Sequence, residues 1–84
     1  MTNLFVARIP SHVTSSELNA CFERFGEVVS AEVILDRETG RSRCFGFVEM
    51  ADDAQAAAAI AALDGQPWAN RKIVVRVAEK RVTG

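Results

Sequence analysis

The chain has 84 residues, 49% of them hydrophobic and 25% charged, with a net charge of −1. That balance is expected of one ordinary globular domain, with a core over about residues 3–79 and a short basic tail over 80–84, and it argues against a disordered chain or a polycationic binder. The longest weakly polar run, 54–63, is far too short to span a membrane, and two cysteines with one histidine cannot complete a zinc-ligand set, so neither metal nor cofactor is expected.

Residues 4–9 read as a first strand, stopped by Pro10. Val13-Thr14-Ser15-Ser16-Glu17 is a helix start. The Thr14 hydroxyl can accept from the amide three residues on, the Glu17 carboxylate can return the bond, and Val13 can staple against Leu18. Leu18, Cys21, Phe22 and Phe25 recur at the spacing of one helix face, and Gly26 is expected to end the helix as a left-handed cap. Residues 28–36 are rich in β-branched side chains and form a second predicted strand; the turn 37–42 pivots on Gly40, and 43–50 form a third strand. Asp52 and Asp53 supply an N-cap and favourable charge to a second helix, in which Ala56, Ala59, Ile60 and Leu63 share a face. Asp64-Gly65 breaks that helix, Asn70-Arg71 turns, and 73–78 form the fourth strand. The order is βαββαβ: an α+β sandwich of a four-stranded antiparallel sheet with two helices on one face.

Two helices of ~10 Å width cover about the same ~20 Å as four strands at ~4.8 Å spacing. They cover one face of the sheet, and right-handed crossovers put both on that side. No chain is left for the other face. In the third strand Cys44, Gly46, Val48 and Met50 form one alternating set, and Arg43, Phe45, Phe47 and Glu49 the other. The first set suits a core; the second mixes large aromatics with charges, so Phe45 and Phe47 are expected to face water. In the first strand Leu4, Val6 and Ile9 suit the core, while Phe5 and Ala7 point outward. With the first and third strands adjacent, Phe5 joins the same patch. The inverted assignment buries the three rings, but it buries Arg43 and Glu49 with them. An exposed aromatic patch edged by arginine suits planar bases, since stacking contributes roughly 1–3 kcal/mol per base. Arg43 can pair with a phosphate or stack on a ring.

Arg43-Cys44-Phe45-Gly46-Phe47-Val48-Glu49-Met50 resembles the RNP1 octamer of RNA-recognition motifs, and Leu4-Phe5-Val6-Ala7-Arg8-Ile9 resembles their RNP2 hexamer. The resemblance extends through Phe22-Glu23-Arg24-Phe25-Gly26, the loop 36–43, and Ala59-Ile60 before Leu63-Asp64-Gly65. The chain is similar to short single-motif members such as those of bacteria, in which the motif begins almost at the initiator Met; eukaryotic and organellar members look alike. The resemblance implies a ferredoxin-like fold and single-stranded RNA as partner. By it, Phe5 and Phe45 stack two bases, Phe47 packs against ribose or between nucleotides, and Arg43 holds a phosphate. Four positions depart from the family pattern. Cys44 replaces a usual Gly and Met50 a usual aromatic, both on the core side by alternation. Arg8 replaces an Asn that commonly organises the next loop, and offers a phosphate contact instead. Asn70 stands where a turn Gly is common, and Asn tolerates the same left-handed conformation.

Charge placement refines the near-neutral total. Arg41 and Arg43 lie at the second loop and third strand, Arg76 points outward if Ile73, Val75 and Val77 point in, and Lys80 and Arg81 follow in the tail. Glu17, Glu23, Glu27, Asp52 and Asp53 belong to the helices or their ends. Glu32 and Glu49 fall on the open face, where they weaken phosphate attraction and can select bases by accepting hydrogen bonds. Few phosphate contacts and two or three stacked bases point to about micromolar affinity, about −8 kcal/mol. Stacking alone also admits single-stranded DNA. A protein-binding module of the same fold is one rival, although such members usually lose sheet aromatics. An enzyme is another, but His12 precedes the capping box with no evident nucleophile beside it, so no catalysis is expected. Cys21 and Cys44 read as reduced core thiols. With no signal peptide visible, an intracellular monomer is expected, cytoplasmic in a bacterium and nuclear or organellar elsewhere.

Overall fold

Local sequence chemistry sets the elements. In a computed structural model, which describes residues 1–78, they are β1 (Thr2–Ala7), α1 (Ser15–Glu23), β2 (Val28–Leu35), β3 (Ser42–Met50), α2 (Asp53–Leu63), β4 (Pro67–Trp68), β5 (Arg71–Lys72) and β6 (Val74–Val77). The expected tail, with Lys80 and Arg81, lies outside the described residues. Both bonds of the capping box at Thr14 and Glu17 form, and Asp52 Oδ1 accepts from the Gln55 amide at 2.9 Å to open α2. Alanine favours helix without needing burial, and so Ala57, Ala58 and Ala61 stand exposed while only Ala56 and Ala59 of α2 are fully enclosed.

The main sheet is antiparallel in the order β2-β3-β1-β6, with β1 and β3 central as expected. Leu4, Val6, Leu18, Phe22, Val48, Met50, Ala56 and Ala59 are all fully enclosed between the sheet and the helices. Gly46 makes this closure possible. A Cβ there would overlap the Glu32 carbonyl oxygen and lie 3.2 Å from Leu18 Cδ2, so β2 and α1 both close on bare backbone.

The two edge strands are each tied by a side chain from the helical layer. Ser15 Oγ accepts from the Val33 amide of β2, and Asp64 Oδ1 accepts from the Val75 amide of β6, both at 3.0 Å. Each bond satisfies an edge N–H that no neighbouring strand reaches.

The structure corrects four local expectations. Gly26 is nearly extended (φ +159°), not a left-handed cap; α1 closes at Arg24 in right-handed conformation, and the Gln55 side chain of α2 occupies the space that a Cβ at 26 would take. The segment read as a simple turn is the β4–β5 hairpin, whose Trp68 packs half-buried against the core. Its left-handed residue is Ala69 (φ +56°), not Asn70. Val77 is 58% exposed, because the apolar cover of β6 stops at Ile73 and Val75.

Candidate nucleic-acid interface

Alternation along β1 and β3 sends Leu4, Val6, Val48 and Met50 into the core and leaves Phe5, Phe45 and Phe47 on the face without helices. The three rings form one cluster. Phe5 lies 5.7 Å from Phe45 and 5.6 Å from Phe47, both tilted, while Phe45 and Phe47 meet edge-on at 6.3 Å. Each ring is half-buried against its neighbours and keeps an accessible side. Such contacts hold the rings in place before any ligand arrives.

Charges are set around the rings by register. One row across the sheet reads Glu32, Phe47, Phe5, Arg76, and the next reads Ser30, Glu49, Asn3. Arg76 therefore flanks the cluster on β6, and Glu32 flanks it on β2. The Arg43 guanidinium lies 5.8 Å from the centre of the Phe45 ring, within cation–π range. Arg41 is not among the rings: it sits in the β2–β3 loop, lining a cleft with His12, Ser15 and Val33. Arg8 is exposed just past the end of β1.

That end of the sheet is irregular for a reason. Between the Val33–Gly46 and Leu35–Ser42 pairs, β3 uses four steps where β2 uses two. The surplus is absorbed at Cys44, which is left-handed at φ +63°. Arg8, at φ +61°, makes the matching bend on β1, and the Ile9 amide donates to the Cys44 carbonyl at 3.1 Å. The two family departures thus fall where glycine or asparagine would be conformationally easier. Cys44 is not the core residue that alternation predicts. The bulge takes it out of phase, and its Sγ accepts from Arg71 Nη1 at 3.6 Å. Cys21 does pack against the core, and burial pushes its thiol pKa up, only partly opposed by Arg24. Both thiols are free.

The β2–β3 loop beside this end is ordered by Asp36. Its Oδ1 accepts from the amides of Thr39 at 3.1 Å and Glu38 at 2.8 Å, which hold its carboxyl below the usual carboxylate range. The contact of Arg71 with the Cys44 thiol is one that sequence reading missed. Arg71 reaches Cys44 only because the β4–β5 hairpin folds back, and no periodicity announces a two-residue strand.

An antiparallel sheet with two helices on one side and a preassembled aromatic cluster on the other defines an open-faced stacking module. The chain belongs to the RNA recognition motif family, whose model matches residues 4–74. It is 50% identical over 78 residues to the chloroplast RNA-binding protein CP31B of Arabidopsis thaliana, covering 93% of this chain and 27% of that protein. It is 46% identical over 79 residues to the putative RNA-binding protein RbpB of Nostoc, covering 94% and 77%. The chain spans a quarter to a third of the chloroplast ribonucleoproteins it matches. The crystal structure of RNA-binding protein PG1 superposes with a TM-score of 0.93 at 43% identity, over 98% of this chain and 99% of that one.

Proposed function

We propose that this chain is a single RNA-recognition domain that binds single-stranded RNA by stacking bases on Phe5 and Phe45, with Phe47 against ribose. The observation that carries this reading is the grouping of three phenylalanines on the sheet face opposite the helices. Relatives named as RNA-binding proteins support it. Arg43, Arg76 and Arg8 supply phosphate contacts from the rim, Glu32 and Glu49 act on base edges, and Arg41 contributes from the loop at longer range. Lys80, outside the described residues, adds a further positive charge for phosphate. The domain acts as a monomer, without catalysis or cofactor, in an intracellular compartment where its thiols stay reduced.

An NMR titration with a short randomised RNA tests this. Shifts are expected to concentrate on β1 and β3 around Phe5, Phe45 and Phe47, with roughly micromolar saturation. Shifts confined to the helices would overturn the reading. Single-stranded DNA of equal sequence is expected to bind more weakly, because it lacks the ribose 2′-OH.

A further inference from the structure

The row beyond the rings carries chemistry that stacking does not use. Asn3 of β1 and Glu49 of β3 are direct cross-strand partners, both only partly buried, and each lies two residues from a ring on the same face: Asn3 from Phe5, Glu49 from Phe47. Side chains so paired stand about 4.5–5.5 Å apart at Cβ. A base lying flat on Phe5 with its edge turned along the strand meets this pair. The pair presents an amide donor beside a carboxylate with two acceptor oxygens.

We propose that Asn3 and Glu49 together read the Watson–Crick edge of a guanine stacked on Phe5, an inference that rests on the RNA-binding reading above. Guanine alone among the four bases places two adjacent donors, N1–H and N2–H, beside a carbonyl, O6. The Glu49 carboxylate accepts both donors in a bidentate, charge-assisted pair, and the Asn3 amide donates to O6. Adenine and cytosine each set one amino donor beside a bare ring nitrogen that repels the second carboxylate oxygen. Uracil sets its single N–H between two carbonyls. Glu32, opposite Phe47 on β2 and diagonal to Glu49 across the β2–β3 ladder, adds negative potential near the pair and reinforces the preference for a donor edge.

The test uses four seven-nucleotide RNAs, all uridine except a central G, A, C or U, in fluorescence anisotropy with the intact chain. The G oligonucleotide is expected to bind about tenfold more tightly than the other three, as a good bidentate contact provides. Glu49→Gln keeps the shape but turns a donor toward guanine, and the preference is expected to fall below about twofold. Affinity for the all-uridine oligonucleotide is expected to rise, since a negative charge on the RNA-binding face is gone. Asn3→Ala is expected to lower the preference by about threefold. Wild-type affinities within twofold of one another overturn the proposal, as does a guanine preference that survives Glu49→Gln. An equal gain for all four RNAs in Glu49→Gln marks a charge effect alone and also overturns it. Failure of the wild type to bind any of the four defeats the RNA-binding reading itself, a separate outcome.

Discussion

Cys44 offers a direct test of the backbone that frames the site. A left-handed conformation costs an L-residue roughly 1–2 kcal/mol, and glycine is free of that strain. Glycine also has more freedom in the unfolded chain, which offsets about 0.4–1 kcal/mol. Cys44→Ala retains the Cβ and removes the thiol contact with Arg71; Cys44→Gly removes both. Their difference therefore isolates the φ of +63°. The glycine variant should be the more stable by about 0.5–1 kcal/mol, which for a domain of this size raises Tm by about 2–8 °C. At an ordinary strand position the sign is opposite, with alanine favoured. Thermal unfolding of the two variants by circular dichroism decides between them. If the alanine variant is equally or more stable, residue 44 is not left-handed, and the bulge that carries Arg43 back over Phe45 is wrong.

Three further outcomes follow from the packing and the loop. Gly46→Ala drives a methyl into the Glu32 carbonyl and toward Leu18, and chemical denaturation should show a loss of about 1–3 kcal/mol. Thr14→Ala removes the capping box of α1 and should lose about 1 kcal/mol in the same measurement. The Asp36 carboxyl is held below its ordinary value of 3.8 in the folded chain, so it stabilises fully above that pH and the contribution is lost as pH falls through the lower, folded value. Asp36→Asn keeps the turn acceptor but does not titrate, so its Tm should fall less steeply than wild type as the pH drops below 3.8. Parallel curves would show that Asp36 contributes nothing to acid sensitivity.

What the sequence made legible was short-range or periodic. The Thr14–Glu17 capping box, the Leu18–Phe22 face and the Asp52 cap depend on residues within one or two helical turns, and all appear where expected. The face of Phe5, Phe45 and Phe47 followed from alternation together with the simple fact that two helices cover one side of a sheet. Long-range and irregular features were not legible. Ser15 and Asp64 read as local helix-boundary residues, yet each bonds an edge amide, 18 and 11 residues away. Strict alternation placed Cys44 in the core because a bulge leaves no periodic trace. The hairpin that brings Arg71 to Cys44 is too short to show a pattern, and its left-handed position fell to Ala69, a residue with no preference for that conformation. Among the expected site residues, Phe5, Phe45, Phe47, Arg43, Glu32, Glu49 and Arg76 share the open face, whereas Arg41 lies apart in its loop.

The proposed function requires the phenylalanines to be a ligand platform and not part of the core. RNA affinity and an amide NMR spectrum of the Phe45→Ala, Phe47→Ala double variant measure both properties at once. Losing the Phe45 stacking surface should weaken binding by about 1–3 kcal/mol, roughly 5- to 150-fold, and losing the Phe47 ribose contact should weaken it further, while the spectrum stays dispersed and Tm falls only modestly. An unfolded variant, or a folded one that binds RNA as tightly as wild type, would contradict that role for the rings.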